Sequence, residues 1–406
     1  MNATAAPAVR ITGYGVLSAA GIGGKALYEA VRSGELPPGD ADAAEVLAGD
    51  PVPPVPLLPV PDFNPREHLG RKGLGALSRT STLGMTAAEM ALDTLAALVE
   101  DSERGDTGVV LGSSTGSARA FAEFFRDTYE LERPYLVSPA LFPGLLLNHC
   151  ASQVAMRHSF TGLNASLAGG HVSGLSALRY ARNALVTGRA TRLLTGAVEE
   201  LSAQSAWAWH RGGDLPEGVA VGEGSAVFVL EGATGTSAHL AELAACEVAF
   251  SPLGEGPLAV AAALARCVEA ALTASGCTAA DIGVVSCGSS SRPGWAAVEA
   301  RGRSRALAGH APRILRVQDV LGETHSASGA LQLAALLGYW EADGAAGPGG
   351  GPGGGPGRGP GGGPDGGPDG GSDGGPGASG SCGLITSVGH DGAVAAAVVR
   401  RAASPA

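Results

Sequence analysis

Between Asn164 and Leu178 the sequence reads NASLAGGHVSGLSAL, a short β-run, a turn of small residues and a helically periodic run, with one imidazole, His171, at the junction. A side chain on such a turn sits at a helix N-terminus, where free N–H groups favour an anion. The position suits a thiolate and biases an imidazole toward its neutral form unless an acid compensates. Three other stretches carry candidate chemistry. IGVVSCGSSSRPGW holds Cys287, Gly288, Ser290 and Arg292; QDVLGETHSASGA holds Gln318, Glu323 and His325; SVGHDGAV places His390 in a glycine turn. Cys287 ends an apolar β-run, where cysteine behaves as a small buried hydrophobe.

The elements that must position these residues alternate. Strands are expected at VRITGYGVLSA, TGVVLGS, NASLA, ATRLLTGAVEE and GSAVFVLEG, then at HLAELAACEVAF, IGVVSCG and RILRVQDV, with a closing hairpin of CGLITSV and GAVAAAVVRR. Helical patterns fall near Lys25 to Ser33 and at SRTSTLGMTAAEMALDTLAAL, PALFPGLLLNHCASQVAMRH, the run after His171, PLAVAAALARCVEAALTAS and SASGALQLAALLGYW. Strands alternating with helices predict an α/β architecture, and the two-part rhythm suggests an internal duplication, with halves at 1–235 and 236–406. From Gly344 to Gly380 the chain is almost pure Gly, Pro and Asp. With few apolar side chains to offset the entropy of ordering, this segment is expected to be a mobile insertion within the second half.

Composition narrows the classes. At 406 residues with 45 % hydrophobic content the chain can bury a large core, while 4 % aromatics and 65 glycines point to small-residue packing. A net charge of −11 disfavours nucleic acid and anionic membranes as partners. The six cysteines form no CxxC pair, so reduced thiols are expected, with no zinc site or disulfide framework. The N-terminus shows no signal pattern and no apolar run reaches transmembrane length, giving a soluble, cytoplasmic expectation.

Collinear motifs give the chain a family resemblance. VRITGYGVLSAAG, DFNPREHLGRKGLGALSRTSTLGMTAAEMAL, SPALFPGLLLNHCASQVAMRHSFTGLN, GVAVGEGSAVFVLEG and SVGHDGAVAAAVV resemble, in order, successive conserved stretches of the β-ketoacyl synthases (condensing enzymes) of the thiolase fold. The resemblance implies two βαβαβαββ halves in an α-β-α-β-α layering. In that family a nucleophilic cysteine follows the G-P-N asparagine by seven residues, and the same count from Asn164 lands on His171. The two catalytic histidines fall on Gly288 and Glu323, and the supporting lysine on Gln318. Ser290 and Arg292 align with threonines that hold a pantetheine arm, Phe121 and Leu147 with acyl-tunnel positions near a dimer interface, and His390 with a gating phenylalanine.

These replacements remove the family's chemistry. An acyl-imidazole is a labile carrier, Gly288 offers no donor to a developing enolate, and an ionised Glu323 would repel it. The resemblance therefore implies a chain-length factor, the ketosynthase β subunit of a type II polyketide synthase. Such a subunit forms a heterodimer with an active ketosynthase α subunit and serves an acyl carrier protein whose phosphopantetheine-linked acyl chain is the ligand, with no cofactor or metal of its own. Two alternatives stand beside it. One is an acyltransferase or cyclase in which Glu323 orients His171 as a general base; the other is an inactive homodimer acting as a carrier-protein scaffold.

Overall fold

In the computed structural model, residues 9–36, 46–47, 49–95, 104–232, 239–345 and 380–402 are described. The ten main strands are β1 Val9–Ser18, β2 Thr107–Gly112, β3 Asn164–Leu167, β4 Arg192–Glu199, β5 Gly224–Gly232, β6 Ala241–Phe250, β7 Ile282–Ser289, β8 Arg313–Arg316, β9 Cys382–Val388 and β10 Ala393–Arg401. They hydrogen-bond in the order β8-β7-β9-β10-β6-β1-β5-β4-β2-β3. Read outward from the centre, the first five strands run β1-β5-β4-β2-β3 and the last five repeat this as β6-β10-β9-β7-β8. The strand directions repeat too: the outer three of each set are parallel and the inner pairings antiparallel. The sets meet where β1 and β6 pair antiparallel through Val9–Leu243 and Ile11–Ala241. The expected duplication boundary near 235 lies outside the described residues, as does nearly all of the Gly/Pro-rich insertion.

The main helices are α1 Arg79–Asp93, α2 Ala118–Glu130, α3 His149–His158, α4 Ser173–Val186, α5 Ala203–Gly212, α6 Pro257–Ser275, α7 Trp295–Ala306 and α8 Ser328–Ala345. α4 and α8 form the central layer between the two halves of the sheet, while α1 with α3 and α6 with α7 cover the outer faces. In α4, Leu175, Leu178, Ala181 and Leu185 recur at helical spacing and are buried. Arg182, buried among them, donates its Nε and Nη2 to the carbonyls of Leu243 and Ala244 on β6. The central core is rich in alanine, which explains how so few aromatics suffice: small side chains let helices and strands approach closely. α6 is apolar over 19 residues, a length that could cross a membrane, yet it is packed against β6, β10 and α7 as a core helix.

Local departures have local causes. The stretch from Pro139 to His158, expected as one helix, divides into a 3₁₀ turn Pro139–Leu145 and α3. Pro143 cannot donate to an α-helical ladder, and Asn148 resets the backbone before α3 begins. α2, α5 and α7 carry no counterpart in the expected pattern. α2 buries none of its residues, so its aromatic stripe meets no core in the isolated chain.

Candidate active site

The turn that carries His171 is a 3₁₀ segment, Gly170–Val172, between β3 and α4. Ser173 fixes it, since its hydroxyl accepts from Gly169 N at 2.9 Å and donates to Gly170 O at 2.6 Å. The ring of His171 is therefore aimed inward, with 0 % exposure. Opposite lies Glu323, whose backbone is clamped by Glu323 N donating to Ala220 O at 2.8 Å and Gly222 N donating to Glu323 O at 2.9 Å. The preceding Gly322 has φ 67°, and a Cβ there would sit 2.5 Å from Ala220 O, so this approach requires glycine.

The sequence positions His171, Glu323 and Gly288 converge. His171 Nε2 lies 3.0 Å from Gly288 O, and His171 Nδ1 lies 3.3 Å from Glu323 Oε1. The Nδ1 contact is off the line of a good hydrogen bond, so it is a charge contact more than a directional one. Both ring nitrogens face acceptors: a carbonyl calls for a proton on Nε2, and a lone pair on Nδ1 would be repelled by the carboxylate. The two contacts together favour the protonated ring. Burial opposes that charge most strongly, but Glu323, the Gly288 carbonyl and the nearby Glu299 outweigh it and raise the pKa of His171 above the usual value. Glu323 is thus the compensating acid on which the neutral bias of this turn was conditional.

Glu323 is held as an anion. Burial pushes its pKa upward, yet His171 and the surrounding donors prevail and bring it down to about 2. Its Oε2 accepts from Ser291 N at 2.7 Å and Gln318 Nε2 at 3.3 Å, and Oε1 from His325 N at 2.8 Å. Gln318 also donates to Ser291 Oγ at 2.7 Å, so it links the carboxylate to the Ser291 loop.

A side chain at Gly288 would require Gln332 to move. A Cβ there would lie 2.6 Å from Cδ and Oε1 of Gln332, a residue of α8 anchored to the carbonyls of Ser286 and Thr386 at 2.9 and 2.8 Å. Gln332 and the buried Glu299, which accepts from Gly288 N at 3.1 Å and Thr386 Oγ1 at 2.5 Å, are site residues that sequence reasoning did not single out or give a role. Their signal was weak: Glu299 is a single acid in the arginine-rich run WAAVEARGRSRA, and Gln332 one polar residue within an apolar helix. Cys287 is buried, and its thiol is pushed up to about 12 by that burial, as a structural cysteine should be.

The remaining candidates lie around this pair. Ser290 is buried with no partner for its hydroxyl among the described residues, and it lines a cleft of about 430 Å³ with Ser291, Arg292 and Gln318. Neither His171 nor Glu323 lines that cleft. Arg292 is tied down by His390 O at 2.8 Å, Asp214 Oδ1 at 3.7 Å and the face of Trp295 at 4.7 Å. His390 packs edge-on to Trp209 and 6.0 Å from His325, which is 3.7 Å from Glu199. Phe121 is half exposed and packs at a tilt against Phe125 on α2, with ring centroids 4.4 Å apart, while Leu147 approaches Gly116.

Known proteins place this geometry in a lineage. Residues 6–234 match the family model of the β-ketoacyl synthase N-terminal domain. The chain belongs to the β-ketoacyl synthase family. A solved structure described as the ishigamide ketosynthase/chain length factor is 31 % identical, covers 98 % of this chain and 100 % of its own, and superposes with a TM-score of 0.75. The actinorhodin polyketide putative β-ketoacyl synthase 2 of Streptomyces coelicolor is 26 % identical over 81 % of this chain and 84 % of its own length. A β-ketoacyl synthase from Burkholderia phymatum, at 19 % identity, 98 % of this chain, 100 % of its own and TM-score 0.78, confirms the fold alone. This β-ketoacyl synthase-family chain is thus ketosynthase/chain-length-factor-like, with the layered thiolase-type α/β fold that the motifs implied.

Proposed function

We propose that this chain is a non-condensing subunit of a type II polyketide synthase, a chain-length-factor-type partner of an active ketosynthase α subunit, working in the cytoplasm. One observation carries the reading: the residue at the nucleophile turn is a fully buried imidazole with Nε2 against Gly288 O and Nδ1 3.3 Å from the Glu323 carboxylate, a setting that favours the protonated ring. A nucleophile or a general base needs a free lone pair within reach of substrate, and this setting works against both for His171. The same argument weighs against a repurposed acyltransferase built on His171 and Glu323.

The surface supports a partner. Phe121, Phe125, Tyr129, Tyr135, Phe142 and Leu146 expose large apolar area on α2 and the segment after it, more than scattered surface residues account for. The ishigamide protein is described as a ketosynthase/chain length factor, and another structure of this fold as an acyl carrier protein in complex with its ketosynthase. We assign the apolar face to the ketosynthase and the carrier-protein-bound phosphopantetheine to the partner's active site, because Arg292 stands tethered where the family has a pantetheine threonine. The two halves we read as an internal duplication joined near residue 235.

Co-expression with a ketosynthase α subunit tests this. A one-to-one complex that condenses malonyl units on a carrier protein, together with an isolated chain that releases no carbon dioxide from malonyl carrier protein, supports the proposal. Condensation by the isolated chain would sink it.

A further inference from the structure

Away from this site, two thiols of distant sequence meet. Cys277 follows the C-terminus of α6, and Cys382 is the first residue of β9, 105 residues later; their sulfurs are 3.3 Å apart. Bond formation requires closing that gap by about 1.2 Å, to the disulfide length of ~2.05 Å. Cys277 is partly exposed, whereas Cys382 is buried behind it. The Arg400 guanidinium lies 3.8 Å from Cys277 Sγ and is itself held by Ser275 O at 2.9 Å and Glu242 Oε2 at 3.1 Å, which fixes a cation beside the outer sulfur. The other four cysteines, Cys150, Cys246, Cys267 and Cys287, are buried, and burial raises all four of their pKa values.

We propose that Cys277 and Cys382 form an oxidisable dithiol, a modification site at which a hydroperoxide converts the pair into a disulfide joining the end of α6 to the start of β9. Cys277 reacts first because it is exposed and carries a fixed cation to stabilise charge on its sulfur. Its thiolate attacks one peroxide oxygen and the O–O bond breaks; the departing hydroxide takes up a proton to leave as water, and Cys277 becomes a sulfenic acid. Cys382 then attacks that sulfur, its proton leaving with the displaced hydroxyl as a second water. Two thiols and one hydrogen peroxide thus give one disulfide and two waters. The bond would close a loop of about a hundred residues and restrict the unfolded chain, so the oxidised form should melt at higher temperature.

Peptide mapping of the full-length chain after hydrogen peroxide treatment, with all thiols then alkylated, tests the proposal. The expected result is a single Cys277–Cys382 cross-linked peptide, a mass loss of two hydrogens, and a melting temperature that rises on oxidation and returns with dithiothreitol. Cys277→Ser and Cys382→Ser, both close in size to cysteine, should each remove the cross-link and the shift. Because the cross-link is read first in the wild-type chain, poor folding of a variant leaves that result intact. Alkylation of both cysteines after peroxide, or a cross-link to any other cysteine, overturns it.

Discussion

His171 and Glu323 form a charge pair whose members shift in opposite directions, and the pH dependence follows from both. The raised pKa of His171 contributes stability that is complete below its unfolded value of about 6.5 and is lost as pH rises through the folded value. Glu323, lowered to about 2 from an ordinary 4.5, contributes stability present above 4.5 and lost as pH falls toward 2. Replacing Glu323 with Gln should therefore flatten the melting temperature against pH on both flanks relative to wild type; an unchanged profile contradicts the ion pair. His171→Ala leaves a buried carboxylate without its counter-charge and should cost about 3–5 kcal/mol in urea unfolding at neutral pH. Gly288 allows a complementary test. Because a Cβ there collides with Gln332, introducing His171→Cys, Gly288→His and Glu323→His together should lower stability by roughly 1–3 kcal/mol from the Gly288 change alone and restore no condensation. A stable, condensing triple variant would show that Gln332 yields.

At the scale of elements, α2 is the informative case. Its Phe121, Phe125 and Tyr129 follow helical spacing, yet no residue of the helix is buried, so the pattern encodes a face for something outside the chain. Phe125→Glu should abolish co-purification with the ketosynthase while changing the stability of the isolated chain by no more than about 0.5 kcal/mol, as surface substitutions do. Retained co-purification would place the partner elsewhere. The elements legible in the sequence were those whose apolar period faces the internal core, such as α1, α4 and α6. α2 escaped because its stripe has no internal counterpart, and the split before α3 because the apolar run Leu145 to Leu147 reads as continuous helix despite Pro143.

Across the whole molecule, the repeated strand order brings the β3–α4 turn, the end of β7 and the loop before α8 to one buried point. Counting along the collinear motifs singled out His171, Gly288 and Glu323, and the fold brings these three positions together. The charge state was not legible. It depends on a carbonyl and a carboxylate that only folding sets on either side of one ring, and the closure at Gly288 depends on Gln332 reaching across from α8. The most direct measurement is polyketide production by the reconstituted heterodimer carrying His171→Gln in this chain, a change that keeps a polar side chain between Gly288 O and Glu323. If the pair is structural, turnover stays within about twofold of wild type; a loss on the order of 10²–10⁴, the usual contribution of a general base, would contradict that account.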